Sequence, residues 1–456
     1  MKSVLLIDSD ADLRKQVYRW LLSSGWRVLE AADGEEGIAY ALQHQPDFIV
    51  CDLTLPKVNG FQVCRSVRGY RNRFRQQPII IATSSSAYAD DRYNALEAGA
   101  DRYLVKPYTD SLLFAVLEGR PTHQTEVKVA PASPGVARAS ASPLPDSEPP
   151  FLRFWGVRGS IPTPGPGTVV YGGNTTCVEL RADGEIIILD AGSGIRGLGL
   201  ALAREFQDQP FNVSILITHT HWDHIQGFPF FVPAYNPHNK VRILGYEGAR
   251  RGLLTTLSAQ MESPYFPVSL REMTSNIDVR ELRESEFRIG RVLVKSTFAN
   301  HPGLCRGYRL FTSAGSVSFF PDHEPFQRMH SQVARSEQQR IETLRHASQK
   351  DLEFTQFLDE TDVLIIDSQY DDTEYHRRVG WGHGCVDDAV ALAMFASVRQ
   401  LFLFHHDPDH DDAQISHMLT WARELVKMHG ESLQIDAARE GLKYVLQPAP
   451  KGENAG

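Results

Sequence analysis

The sequence predicts an α/β protein in two unlike parts: an N-terminal (βα)5 unit with a five-stranded parallel sheet, and a larger C-terminal part able to form two packed sheets. Three observations carry this. Over residues 1–120, short apolar runs alternate regularly with amphipathic stretches. Residues 121–150 are dominated by Pro, Ala, Ser and Val, a composition that buries too little apolar surface to order itself. From residue 151 strand-like runs predominate, and several of them end on His or Asp. At 456 residues the chain exceeds what one core usually supports. The expected domains are therefore 1–120, a linker over 121–150, and 151–450.

In the first part, residues 4–7, 27–30, 48–51, 79–82 and 103–105 read as strands. Helical patterns lie near 12–23, 35–43, 60–69, 89–98 and 109–118. Short connections between such units imply a parallel sheet covered on both faces, with ligands beyond the carboxyl ends of the strands. Asp8, Asp52, Thr83 and Lys106 stand at those ends.

This segment resembles a response-regulator receiver domain along its whole length. The likeness rests on Cys51-Asp52-Leu53-Thr54-Leu55-Pro56-Lys57-Val58-Asn59-Gly60, on Thr83, and on Tyr103 followed by Lys106-Pro107. It implies that Asp52 accepts a phosphoryl group from a cognate histidine kinase or phosphotransfer protein. It also implies a Mg²⁺ and phosphate site of Asp8, Asp52, Thr54, Thr83 and Lys106. Thr83 would be the switch hydroxyl and Tyr103 the switch aromatic, and the Lys106-Pro107 bond is expected to be cis. The family usually has two adjacent acids after the first strand; here Ser9 follows Asp8, and Asp10 comes next. The absent acid is the one expected to touch Mg²⁺, which leaves that task to Asp10 or to water.

The formal net charge of −9 argues against broad nucleic-acid or anionic-membrane binding. The start lacks a signal-peptide pattern, and no apolar run reaches the roughly 18 residues of a membrane span. The five cysteines are scattered without Cys-X-X-Cys pairing, which reads as buried free thiols in a reducing cytoplasm.

In the C-terminal part, strand-like runs occur at 177–180, 186–189, 213–217, 241–244, 292–296, 308–311, 316–320, 363–366 and 401–404. Helical patterns appear at 249–261, 327–358, 386–397 and 411–429. Directly after the run 213–217 comes Thr218-His219-Thr220-His221-Trp222-Asp223-His224. Four potential ligands within six residues, alternating His-X-His-X-Asp-His, can aim one pair at one metal and the second pair at a neighbour. Imidazoles and a carboxylate without thiolates suit a borderline metal such as zinc. His301, Asp322 and His405 follow later strand-like runs, and Asp190 closes the run 186–189.

With these residues in order, the segment 151–447 resembles the metallo-β-lactamase fold superfamily, which implies an αββα sandwich. The resemblance assigns His219, His221 and His301 to one metal, Asp223, His224 and His405 to a second, and Asp322 to a bridge. Two Zn²⁺ (or Mn²⁺ or Fe²⁺) with room for an activated water follow from it. Asp190 would orient a ligand or its loop. His221 stands where a di-iron redox site would carry Glu, so hydrolysis is favoured.

Within the superfamily the likeness is to the phosphodiesterase and transfer-RNA 3′-processing branch. It rests on His301-Pro302-Gly303 with Gly307-Tyr308-Arg309, and on Gly382-His383-Gly384-Cys385 before a helix and His405. It implies that His383, paired with Asp367, helps the leaving group depart; the alternative is a histidine merely capped by its neighbours. His406, Asp407, His410, Asp411 and Asp412 are expected to be exposed or to support the ligands from behind. Tyr265 and Phe266 are candidates for stacking on a base or sugar, or for ordinary loop packing. The helical stretch 327–358 offers a lid, a dimer arm or a surface on which the first domain docks.

The expected protein is a cytoplasmic response regulator, without a DNA-binding output domain and with a homodimer left open. Its output would be a dinuclear metal-dependent phosphodiesterase for a cyclic nucleotide or other small phosphodiester, with Asp223, His383 and Asp367 in catalytic roles and Asp52 in control. The alternatives are an RNA nuclease of the transfer-RNA-processing type and a non-catalytic, metal-binding signalling module.

Overall fold

The five apolar runs of the N-terminal part pair as parallel strands: β1 (Ser3–Ile7), β2 (Arg27–Ala31), β3 (Phe48–Asp52), β4 (Ile79–Ser84) and β5 (Arg102–Val105), in the order β2-β1-β3-β4-β5. The computed structural model describes residues 2–85, 92, 94–96, 98–120, 148–207, 209–246, 252–263, 265–326, 328 and 349–447. Most of the expected linker, half of the helical pattern at 89–98 and most of 327–348 lie outside the described residues. β3, at the centre, is buried at every position, which is why its sequence reads as an unbroken apolar run rather than an alternation. Helices Ala11–Ser23, Gly34–His44, Gly60–Gly69 and Asp110–Glu118 cover the faces. Three begin on the side-chain caps Asp10, Asp33 and Asn59. The fourth is capped by Thr109. The Lys106-Pro107 bond is cis.

The C-terminal strands are β6 (Phe151–Gly156), β7 (Cys177–Ala182), β8 (Glu185–Leu189), β9 (Asn212–Ile217), β10 (Lys240–Gly245) and β11 (Asn276–Glu281). They continue as β12 (Glu286–Ile289), β13 (Val292–Phe298), β14 (Arg306–Thr312), β15 (Gly315–Phe320), β16 (Val363–Asp367), β17 (Gln400–Phe404), β18 (Gln434–Ala437) and β19 (Lys443–Val445). Two seven-stranded sheets result, ordered β11-β10-β9-β8-β7-β6-β19 and β12-β13-β14-β15-β16-β17-β18. Their inner faces meet in one core containing Phe154, Leu189, Leu216, Phe319, Phe402 and Phe404, with the Phe154 and Phe402 rings 5.0 Å apart. Helix Ile195–Phe206 covers the first sheet from outside, and helices Val386–Phe395 and Asp412–His429 cover the second. This is an αββα sandwich.

Each sheet changes from antiparallel to parallel pairing near its middle, at β8–β9 and at β15–β16. Carboxyl ends of parallel strands therefore collect on one edge, where ligands sit in such sheets. Each large apolar side chain buried between the sheets contributes about 1.5–3 kcal/mol, so these strand ends are held firmly. All five cysteines are buried free thiols. Among the described residues no helix is long and apolar enough to cross a membrane.

Candidate metal centre

β9 is buried along nearly its whole length and ends at Thr218, whose amide and hydroxyl donate to the two oxygens of Asp190 at 2.7 and 2.8 Å. These two hydrogen bonds pin the end of β9 to the end of β8. The chain then turns through His219 and His221 into one helical turn, Trp222–Ile225, which folds Asp223 and His224 back toward His219. Asp190 and His405 both adopt left-handed backbone conformations, with φ +59° and +62°. Such strain costs about 1–3 kcal/mol per residue and persists only where the surroundings impose it.

The seven predicted ligands converge from both sheets. His219, His221, His301 and Asp322 form one group, and Asp223, His224 and His405 another, with the ligand atoms of each within 4.8 Å of one another. Asp322 lies between them. Its Oδ2 is 3.7 Å from His219 Nε2 and 3.4 Å from His301 Nε2, while its Oδ1 is 3.1 Å from His224 Nε2 and 3.4 Å from His405 Nε2. Asp223 Oδ2 closes the second group at 3.2 Å from His224 and 3.1 Å from His405.

Behind the cluster, the far ring nitrogens are bound. His224 Nδ1 donates to Asp190 Oδ2 at 2.8 Å, His301 Nδ1 to the Gly382 carbonyl at 2.8 Å, and His405 Nδ1 to Gln369 Oε1 at 3.2 Å. His219 Nδ1 meets the Thr218 hydroxyl at 3.1 Å. Such partners fix the tautomer that leaves each Nε2 lone pair facing the centre. His219 Nε2, His224 Nε2 and Asp322 Oδ1 are buried and make no hydrogen bond. Buried polar atoms are almost always paired, so three orphans aimed at one point are what a cation-binding pocket requires. Burial, with His224 and His221 beside it, pushes His219 well below its ordinary pKa, and burial does the same to His301. Neutral imidazoles are the form a metal needs. Burial alone would also lower His224, yet Asp223, Asp322 and Asp190 push it well up. The positive charge they call for can be a cation as well as a proton. The donor set fits a divalent pair.

Beside the cluster, His383 Nδ1 donates to Asp367 Oδ2 at 2.8 Å, and its ring stacks on His405 at 5.0 Å. Asp367 also accepts from the amides of His323 and Gln369, which fixes the carboxylate. Burial would lower His383, but Asp367, then Asp322 and Asp223, raise it to about 9. A third possible ligand group, Asp322, His383 and His405, reuses two residues of the first two, and His383 has one nitrogen already committed to Asp367.

Residues 4–118 match the family model of the response regulator receiver domain, and residues 186–342 that of the beta-lactamase superfamily domain. A receiver domain and a metallo-β-lactamase-fold domain share this chain. AfsQ1 of Streptomyces coelicolor, a transcriptional regulatory protein, is 41% identical over 115 residues, covering 25% of this chain and 49% of its own. PrrA of Mycobacterium tuberculosis, another transcriptional regulatory protein, is 38% identical over 112 residues, 25% of this chain and 46% of its own. The chain thus spans about half the length of the curated relatives it matches. Among solved structures, YhfI of Bacillus subtilis is 14% identical, covers 65% of this chain and 99% of its own, and has a TM-score of 0.46. A diphosphatase from the PhnP family gives 15%, 65%, 97% and 0.43, and the short form of human tRNase Z 16%, 65%, 99% and 0.42.

In the receiver domain the predicted residues also meet. Lys106 Nζ lies 2.7 Å from Asp8 Oδ2 and 3.1 Å from Asp52 Oδ2, and Thr54 Oγ1 donates to the same Asp52 oxygen at 3.1 Å. Burial raises the Asp8 carboxyl against the pull of Lys106; burial would lower Lys106, but Asp52 and Asp8 keep it firmly protonated. Thr83, opposite Asp52 in register, has a buried hydroxyl without a partner. Tyr103 is buried and Ser9 exposed. Asp10 caps its helix, accepting from the amides of Asp12 and Leu13 through one oxygen. Its role at Mg²⁺ is therefore limited to the other oxygen.

Several supporting groups were not foreseen. Gln369, which holds His405, is itself held by Asp407 at 3.0 Å. The buried Glu324 carboxylate accepts from Tyr375 Oη at 2.6 Å and from the Gly380 and Gly382 amides at 2.8 Å each, shaping the loop that presents His383. Ser160 N donates to Asp223 Oδ2 at 2.7 Å. Gly382, at φ +89°, is required because a Cβ there would stand 2.6 Å from His301 Nδ1. Of the residues read as exposed or as supporting the ligands from behind, His406, Asp407 and His410 are buried: Asp407 supports His405 through Gln369, His406 binds the Ala438 carbonyl, and His410 binds Glu374. Asp411 caps Asp412–His429, and Asp412 receives the amides of Val170 and Tyr171. Tyr265 is exposed, whereas Phe266 packs edge-on against Phe230.

Proposed function

We propose that the chain is a cytoplasmic two-component response regulator whose output is a dinuclear metal-dependent phosphodiesterase for a cyclic nucleotide or another small phosphodiester. On this reading a histidine kinase or phosphotransfer protein phosphorylates Asp52, Mg²⁺ assists there, and residues 121–150 link the receiver (1–120) to the hydrolase (151–450). His219, His221 and His301 hold one divalent ion, Asp223, His224 and His405 the other, and Asp322 serves both. When bound, such a pair, zinc or alternatively manganese or iron, supplies Lewis-acid polarisation and acidifies water.

The observation that carries the phosphodiester reading is the His383–Asp367 pair, bonded at 2.8 Å and standing beside Asp322. An alkoxide leaving group needs a proton; His383 Nε2 delivers it, while Asp367 holds Nδ1–H and stabilises the imidazolium. Asp223, fixed by the Ser160 amide, keeps the second ion's side of the pocket in place. Trp222 and Trp381, 69% and 61% exposed, stand one residue from Asp223 and two from His383. Exposed indoles there favour a diester that carries a base, since stacking is worth about 1–3 kcal/mol per base.

The test is turnover by protein loaded with zinc or manganese on cyclic nucleotides, bis(p-nitrophenyl) phosphate, a thioester, a β-lactam and single-stranded RNA. Small diesters should lead. RNA cleavage outpacing them selects the nuclease reading, and inactivity throughout sinks both.

A further inference from the structure

A cavity of about 130 Å³ opens between the two domains, and its walls come from both. Thr54, Ser84 and Ser85 line it from the receiver; Asn300, His301 and Lys350 are among those lining it from the hydrolase. The packing is intimate, for buried apolar residues of the receiver and of the sandwich interior form one contiguous cluster. The receiver wall borders the phosphoacceptor site: Leu53 and Thr54 follow Asp52, and Ser84 follows Thr83. Thr54 Oγ1, which lines the cavity, is hydrogen-bonded to Asp52 Oδ2 at 3.1 Å.

The hydrolase wall carries an ion pair, Lys350 with Glu353. Lys350 is the second residue of the helical stretch 349–358, and its ammonium pairs with Glu353 at 3.0 Å while 31% of its side chain is exposed. Its charge reaches the receiver: burial alone would raise Asp10, but the Leu13 and Asp12 amides, then Lys106 and Lys350, hold it below its ordinary pKa. On the receiver side, the Thr83 hydroxyl is buried and unpaired.

We propose that Lys350 is a phosphoryl ligand supplied from across the domain boundary, so that the phosphoryl group on Asp52 is bound by both domains together. This rests on the reading of Asp52 as the regulatory acceptor. In the step concerned, an Asp52 carboxylate oxygen attacks the phosphorus of an acyl phosphate or a phosphohistidine. The new P–O bond forms as the donor's P–O or P–N bond breaks, and the donor's carboxylate or imidazole leaves with the electron pair. The group adds a charge of about −1.5 to −2 with three acceptor oxygens. It sits within the cavity that Lys350 faces and draws the ammonium away from Glu353. The same helix carries Phe354, whose ring stacks on His323 at 4.0 Å, and His323 Nδ1 accepts the Asn300 amide at 3.2 Å. His323 follows Asp322 and Asn300 precedes His301. Packed groups thus connect the Lys350 helix to the neighbours of two candidate metal ligands.

The experiment uses the full chain and beryllofluoride with Mg²⁺ as the phosphoryl mimic, read by titration calorimetry, so it needs no turnover. Lys350→Ala should weaken beryllofluoride binding about tenfold, the scale of one lost charge-assisted hydrogen bond. Lys350→Arg should stay within about threefold of wild type, since it keeps the charge and the donors. Unchanged affinity in Lys350→Ala overturns the proposal, as does equal loss in the alanine and arginine variants or a wild type that binds no beryllofluoride. If Lys350 passes this test while the protein hydrolyses no diester, only the phosphodiesterase reading falls; the reverse pattern removes only Lys350's role.

Discussion

The two ionisable pockets solve different electrostatic problems. In the metal centre His224, His301 and His405 are each backed by a hydrogen bond behind the ring, and the unpaired atoms all face inward. In the receiver, Asp8 and Asp52 share one lysine, and the unpaired Thr83 hydroxyl waits beside them. The first arrangement suits a resident cation: the bonds behind the rings hold its ligands in one cluster. The second suits a charge that comes and goes, because Lys106 can transfer its attention from carboxylates to a phosphoryl group. Preorganisation separates them.

The largest effect should come from removing the shared element of the preorganised pocket. Asp322→Ala takes one carboxylate from both ligand groups at once, for its two oxygens lie 3.1 Å from His224 Nε2 and 3.4 Å from His301 Nε2. Turnover is expected to fall at least about a thousandfold, roughly 4 kcal/mol in the barrier, with fewer than two metal equivalents retained by elemental analysis. A variant that keeps two equivalents would show that Asp322 is no bridge. Chelation of wild type should cost comparable activity and be reversed by adding metal.

A smaller effect is expected from His383→Ala, and its size should depend on the leaving group. A general acid contributes about 10²- to 10⁴-fold where the departing oxygen needs a proton. With an alkoxide such as a ribose hydroxyl, kcat should drop by about that much. With p-nitrophenolate, which leaves unprotonated, the loss should shrink to within about tenfold. Equal losses on both substrates would make His383 a structural residue, capped by Asp367.

Legibility follows the same division. The metal ligands could be read from the sequence because strand ends are local features: β9, β15 and β17 are apolar runs that stop at Thr218-His219, Pro321-Asp322 and His405. The receiver's strands were legible for the same reason. Strands β11, β12, β18 and β19 were not, being short edge strands whose positions are half exposed and carry no clean alternation, as in Asn276–Glu281. Helix Ile195–Phe206 escaped because Gly197 and Gly199 weaken its pattern; Gly199 is needed for close approach to Phe231. Gln369 and Glu324 act across 36 and 58 residues of sequence, on His405 and on the Gly382 loop, and nothing local marks them. Nor could the chain reveal that the Asp52 face meets the His301 loop, because the stretch between the domains carries no pattern that specifies docking. Buried His406 and His410 show the converse: a polar-looking run after β17 is internal, with His406 Nε2 bound to the Ala438 carbonyl and His410 Nε2 to Glu374.

The finest test applies one substitution to both pockets. Asp190→Asn removes a carboxylate that accepts three hydrogen bonds, from the Thr218 amide, the Thr218 hydroxyl and His224 Nδ1. A carboxamide offers one acceptor oxygen, so at least one buried donor loses its partner, at about 1–3 kcal/mol, and metal affinity should fall about 10- to 100-fold. Asp52→Asn removes a charge from a site where Lys106 keeps its closer partner, Asp8, at 2.7 Å. Relief of the repulsion between Asp8 and Asp52 offsets the weaker contact with Lys106, and the net change in stability should lie within about 1 kcal/mol. Denaturant unfolding followed separately for each domain measures both. If Asp52→Asn proves as costly as Asp190→Asn, the receiver pocket is as rigidly specified as the metal centre, and the contrast between a resident charge and a transient one fails.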